Sequence, residues 1–241
     1  MESASAGIVE GNVSEIIAKK FFDSSYKNGV FVDVGAATPD YLSICSYYRP
    51  LGWRILAIEP NPEFCKLWQQ KGFEVLQYAC GDHDEDDVDF QVVNSHGADY
   101  LGGQVSFESF SSLKIKDSYA RLQPDNLDFS ALKVKLRTLN TIMAEHAPHV
   151  SRIDILSVDV EGWELEVLAG LNLDKYQPRV MVIENIFNDP AYRDYCKRFG
   201  YVLWKNIAPN DIYISRSMNE HMRRFSIRLR SLLGRNISPE S

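Results

Sequence analysis

"FVDVGAATPDYLS", residues 31–43, decides how the chain is read. An apolar strand runs into Asp33 and Gly35, as before a nucleotide-binding turn, but the later positions where such turns carry glycine hold Ala37, Thr38, Pro39 and Asp40. In a dinucleotide-binding turn three glycines let the backbone approach a pyrophosphate seated on the positive end of a helix. Asp40, at the expected start of the following helix, would face that anion and compete for the same free N–H groups. No G-x-x-x-x-G-K-[ST] stretch offers a triphosphate cradle either. NAD, FAD and ATP are therefore disfavoured, and a nucleoside with a cationic end and no phosphate suits the turn better.

Outward from that turn the chain alternates. Strands are expected at 30–34, 54–58 and 74–79, with helices from about Asp40 and from about Pro62, and an amphipathic helix at 13–22 before them. Strand, helix, strand with short links implies a parallel, right-handed sheet. The rhythm breaks between Val88 and Leu139, where "VDFQVV" and "LKVKLRTL" read as extra strands and "GADYLGGQVSFESFSSL" as a mobile loop. It resumes with strands at 153–158 and 179–183, helices at 163–169 and 190–199, and a closing hairpin near 201–205 and 211–215. These elements imply a single α/β domain over residues 1–215, with an insertion at about 88–139, followed by a tail at 216–241.

Ligands of open α/β sheets bind beyond the carboxyl ends of the strands. Asp33, Glu59 in "ILAIEPNP" and Asp82 in "QYACGDHDED" follow three successive strands to that edge. A carboxylate after the second strand can hold both ribose hydroxyls, and one after the third can accept from an adenine amino group. Taken singly, Asp33 could brace the turn, Glu59 could begin the next turn and Asp82 could be one charge in a solvated run. Their regular placement favours a site, and S-adenosylmethionine, with its ammonium, sulfonium and lack of phosphate, matches it.

Charge and composition narrow the partners. A net charge of −7 without a basic stripe in the body of the chain argues against nucleic acid, whose binding rests on clustered Lys and Arg. The tail differs: Arg216, Arg223, Arg224, Arg228, Arg230 and Arg235 interleave with Met222, Phe225, Ile227, Leu229, Leu232 and Leu233. Its plain reading is an amphipathic helix packed on its own domain or on a homodimer partner; peripheral contact with a membrane surface ranks below that. Cys45, Cys65, Cys80 and Cys196 lie in or beside apolar segments without C-x-x-C spacing and read as core thiols of a reducing compartment. With no secretory leader pattern and no apolar run of bilayer length, a cytoplasmic location is expected.

On "FVDVGAATPDYLS", "ILAIEPNPEFCKLW", "QYACGD", "LRTLNTIM" and above all "IDILSVDVEGWELEVLAGL", the sequence resembles the FkbM-type methyltransferases over roughly residues 30–215. Thr38-Pro39-Asp40 departs from the more usual glycine-containing turn, and the Arg-rich tail lies outside the shared pattern. The resemblance implies a Rossmann-like class I methyltransferase fold: a mostly parallel seven-stranded sheet, its last strand antiparallel, with helices on both faces. It also implies S-adenosylmethionine-dependent O-methylation of a hydroxyl on a sugar or a polyketide-like small molecule. Cofactor roles would fall on Asp33, Gly35, Glu59 and Asp82, with Ala36 and Pro60 beside them in the first two turns.

Methyl transfer to a hydroxyl needs the oxygen held in line and its proton removed. Asp159 and Glu161 in "SVDVEGWE" are the preferred bases, placed on one side by strand alternation, with Gly162 permitting the turn into the next helix. A cap for that helix is the plainer role for Glu161. His96, in "NSHGADYLGG", is a further candidate base that would enter with its loop. Glu184 and Asn185 in "VMVIENIF" could join Asp159 around Mg²⁺, but substrate binding or strand capping is favoured and no metal is expected. Three readings remain open: methylation of a carbohydrate or glycan hydroxyl, methylation of a macrolide or lipid-like metabolite, and a non-catalytic nucleoside-binding module that docks a partner through its tail.

Overall fold

The computed structural model describes residues 12–22, 25–94, 99, 100, 105, 106, 111–114, 116, 119 and 128–220. Eleven strands occur among them: β1 (Val30–Val34), β2 (Arg54–Ile58), β3 (Ala79–Cys80), β4 (Glu85–Asn94), β5 (Asp99–Tyr100), β6 (Val105–Ser106), β7 (Asp128–Arg137), β8 (Ile155–Val158), β9 (Val180–Glu184), β10 (Tyr201–Ile207) and β11 (Asn210–Ser215). The helices are α1 (Val13–Phe21), α2 (Pro62–Gln70), α3 (Leu139–His146), α4 (Glu164–Ala169), α5 (Leu173–Tyr176) and α6 (Pro190–Arg198).

Period-2 alternation builds two apolar layers on the central sheet. Val32 and Val34 of β1, Leu156 and Val158 of β8, and Met181 and Ile183 of β9 face α3, α4, α5 and α6 through Leu139, Ile142, Val167, Leu168, Tyr176 and Cys196. Phe31, Ile155, Val180 and Val182 face the other way, against Val13 and Ile17 of α1, Trp68 of α2 and Tyr48. Strands buried on both faces are what a parallel sheet between helical layers requires. The four cysteines are buried with free thiols, Cys45, Cys80 and Cys196 within these layers.

The central sheet has six strands in the order β10-β11-β9-β8-β1-β2, not the seven expected. β2, β1, β8 and β9 run parallel, and β11 is antiparallel to both of its neighbours, β9 and β10. The expected strand at 74–79 touches this sheet only through the Ile58–Leu76 bridge, with Leu76 N donating to Ala57 O at 2.9 Å. The chain then leaves it, because β3 finds its partner in β7, at Leu136 and Arg137. A second sheet, β3-β7-β4, results, in which the ten-residue strands β4 and β7 pair antiparallel. β4 and β7 thus form a second sheet that captures the third expected strand. Most of the "GADYLGGQVSFESFSSL" stretch lies outside the described residues.

The helix expected from about Asp40 is replaced by two short 3₁₀ turns, Ile44–Tyr47 and Arg49–Leu51. Thr38 Oγ1 accepts from Tyr41 N at 3.2 Å, Leu42 turns left-handed at φ 53°, and Pro50 lies inside the second turn, so no α-helical ladder is established. Asp40 therefore caps no helix. It is half exposed, in ion pairs with Lys71 and Arg49. With no helix N-terminus there, Asp40 does not compete with a phosphate for free N–H groups.

Candidate active site

β1, β2 and β8 end side by side, and the turns that follow them wall a single cleft. Gly35 has φ +77°, and a Cβ there would stand 1.7 Å from the carbonyl oxygen of Asp159. The first turn therefore sits directly on the turn after β8, which only glycine permits. Gly35 N and Ala36 N both donate to Ile58 O, at 3.0 and 3.1 Å, and Asp159 N donates to Val34 O at 3.0 Å. Three strand ends are locked into one rim.

Glu59 follows β2 at this rim and is 4% exposed. Its Oε2 accepts from Ala37 N at 2.9 Å and its Oε1 from Asn61 N at 2.7 Å. Burial pushes the carboxyl up to about 7, against the pull of those two N–H groups, with Asp33 adding repulsion. Each oxygen keeps a lone pair for a ligand hydroxyl. Beyond it the wall becomes apolar, with Pro60, Phe64, Tyr78, Ala79, Cys80, Phe90 and Leu113.

At the other end stand Asp159, Glu161 and Trp163. Asp159 and Glu161 share the cleft, though not by strand alternation. β8 stops at Val158, and left-handed backbone at Glu161 (φ 57°) and Gly162 (φ 97°) bends the chain there. A Cβ on Gly162 would lie 2.8 Å from the Tyr119 ring. Behind the turn, Glu164 is fully buried: its Oε1 accepts from Val160 N at 3.1 Å and Gly162 N at 2.9 Å, and its Oε2 from the Tyr192 hydroxyl at 2.6 Å. Glu184, at the end of β9, accepts from the Tyr119 hydroxyl at 3.3 Å. Burial, then the charges of Asp159, Glu161 and Glu164, push its carboxyl well above the usual range.

Asp159, Glu164 and Glu184 each bring an oxygen within 4.8 Å of the others, a donor set that a hard divalent cation accepts. Asn185 is not part of it. Its amide donates to Asp211 and to Asp189 O and accepts from Asp189 N, so it braces the loop after β9 instead. Lys116 brings a positive charge to this end, bonded to Gly162 O and, at 3.1 Å, to Glu166, with its ammonium 4.8 Å from the centre of the Trp163 ring.

Of the residues singled out in the sequence, Gly35, Glu59, Pro60, Asp159 and Glu161 line this cleft. Asp33 does not reach it: strand alternation turns its buried carboxyl to the α1 side, where it takes hydrogen bonds from Cys45 and Ser157, and burial raises it to about 6. Ala36 packs into the same layer. Asp82 stands 55% exposed beyond β3, bonded to His83 at 2.7 Å. His96 and the tail beyond 220 lie outside the described residues. Glu164, Tyr119, Tyr192 and Ser112 were missed. Glu164 was legible, since it closes the "DVEGWE" string; the other three come from the insertion and from α6, and carry no local signal.

A family model described as the methyltransferase FkbM domain matches residues 33–225. Among solved structures, the crystal structure of methyltransferase FkbM from Methylobacillus flagellatus KT matches with a TM-score of 0.47 and 13% identity, over 81% of this chain and 46% of that one. The chain therefore spans about half the length of that structure's chain, and a likeness this distant carries no argument about the site. No curated protein matches.

Proposed function

The chain belongs to the FkbM methyltransferase family, and on that premise we propose that it is an S-adenosylmethionine-dependent O-methyltransferase acting on a hydroxyl of a carbohydrate or glycan. One observation carries the reading: a single cleft is lined by the Glu59 carboxyl on the β2 side, the glycine turn in the middle and the carboxyl groups of Asp159 and Glu161 on the β8 side. The cofactor fits the residues present. Glu59 would hold the ribose hydroxyls through its remaining lone pairs, Gly35 lets the backbone close on the ligand, and the acidic rim suits its cationic end. When bound it supplies an electrophilic methyl group.

The chain's own work is positioning and proton removal. Asp159, on the open side of the cluster, takes the acceptor's hydroxyl proton. Glu184, with its raised proton affinity and its hydrogen bond to Asp159, already holds one, which keeps two adjacent carboxyls from ionising together. Tyr119 and Tyr192 fix Glu184 and Glu164 behind the reacting edge. Glu164's oxygens are already held by two N–H groups and a hydroxyl, which favours the shared proton over Mg²⁺. Trp163 gives an apolar face on which a sugar ring can lie.

Asp159→Asn tests the assignment against a glycan panel. Methyl transfer should fall about 10²- to 10⁴-fold, while the Kd for S-adenosylhomocysteine stays within about threefold of the wild-type value, far less than the loss of a charged hydrogen bond would bring. Wild-type binding of S-adenosylhomocysteine with methyl transfer to macrolides and not to glycans would move the acceptor class. Binding with no acceptor at all would favour a non-catalytic module docking through its tail.

A further inference from the structure

One polar group in the cleft has no task in this scheme. Ser112 lines the cavity at 2% exposure, and among the described residues its hydroxyl has no hydrogen-bond partner. Its backbone is fixed, with Ser112 N donating to Gln91 O at 3.0 Å and Gln91 N to Ser112 O at 2.8 Å. The following residue, Leu113, packs on Ala79, Phe90, Val134 and Leu136. The hydroxyl is thereby held in the cleft wall beside β4, and two residues on, Lys114 O accepts from Trp163 Nε1 at 2.9 Å, which ties the same segment to the turn after β8.

A hydroxyl kept in an apolar wall without a partner destabilises the fold. Phe64, Tyr78, Cys80 and Phe90 line the same cleft, apolar surface of the kind that holds an aromatic ring. Asp82, the carboxylate expected to meet an adenine, is instead exposed and paired with His83. We propose that Ser112, contributed by the insertion, is the hydrogen-bonding partner of the ligand's purine base, which lies against Phe64, Tyr78 and Phe90. A hydroxyl both donates and accepts, so it serves a ring nitrogen or an exocyclic amino group equally. The inference rests on the cofactor reading above and adds the residue that recognises the base.

Ser112→Ala separates this from a structural role, because the two readouts move in opposite directions. The ligand-free melting temperature should hold or rise, since no protein hydrogen bond is lost. Calorimetric affinity for S-adenosylhomocysteine should fall roughly three- to tenfold, the range for one neutral hydrogen bond. Adenosine should lose affinity by the same factor, and S-ribosylhomocysteine, which has no base, should bind both proteins alike. An unchanged Kd for S-adenosylhomocysteine, an equal loss with S-ribosylhomocysteine, or a lowered melting temperature would each overturn the assignment while leaving the cofactor reading intact. Failure of the wild-type protein to bind S-adenosylhomocysteine would remove both.

Discussion

Replacing Glu59 with glutamine separates what the site costs the fold from what it gives the ligand. The carboxyl is buried and lifted from 4.5 to about 7, mainly by burial. An acid with a higher pKa folded than unfolded makes the native state the tighter proton binder. Its stabilising contribution is complete below pH 4.5 and is lost as pH rises through about 7. At about 1.4 kcal/mol per pH unit, the interval from 4.5 to about 7 amounts to ~3 kcal/mol. Glutamine does not titrate, so the variant should gain ~3 kcal/mol relative to wild type between pH 4.5 and pH 8. A constant offset accompanies this. One amide oxygen cannot serve both Ala37 N and Asn61 N, and the N–H left over costs about 1–3 kcal/mol at every pH. The slope of the difference therefore carries the test, not its sign at one pH. Urea unfolding at a series of pH values, followed by tryptophan fluorescence, measures it. Parallel stability curves for the two proteins would refute the claim that this carboxyl is held against its own ionisation.

Two further substitutions probe the rim and the layer behind it. Gly35→Ala places a Cβ 1.7 Å from the Asp159 carbonyl and asks alanine for φ +77°, which alone costs about 1–2 kcal/mol. The β1 and β8 turns must part by more than an ångström, so affinity for S-adenosylhomocysteine should drop about 10²-fold; wild-type affinity and urea midpoint together would refute the close approach. Tyr192→Phe removes the 2.6 Å bond to Glu164 and should lower unfolding free energy by about 1.5–3 kcal/mol, and an unchanged urea midpoint would show that the bond contributes nothing.

What the sequence revealed and what it hid divide along physical lines. Residues 30–34, 54–58, 155–158 and 180–184 are short, apolar and β-branched, and each forms a strand of the central sheet within a residue or two of its expected bounds. Glu59 and Asp159 were legible because they directly follow strands, where position alone dictates the carboxyl edge. Asp33 was misjudged because it lies inside its strand, and alternation sends it to the opposite layer. Nothing local distinguishes the 3₁₀ turns after Asp40 from a helix except Pro50 and the left-handed Leu42. The sixth-versus-seventh strand question was settled by competition: Ala79 and Cys80 pair with β7, more than fifty residues on, and no window of sequence contains both partners. Ser112 and Tyr119 enter the site by the same long-range route.

The carboxyl groups that mark the cleft also work against the fold that carries them. Glu59, Glu164 and Glu184 are all buried and all pushed toward holding a proton, so each makes the fold less stable near neutral pH than an apolar side chain of similar size would. Such an arrangement persists where a ligand supplies the missing compensation. A cationic ligand bound beside them stabilises the ionised carboxylates and, through mass action, the native state. A phosphate-bearing ligand would add to the repulsion instead. Selectivity against phosphate is thus better placed on Glu59, Glu164 and Glu184, which burial pushes toward holding a proton, than on the exposed Asp40.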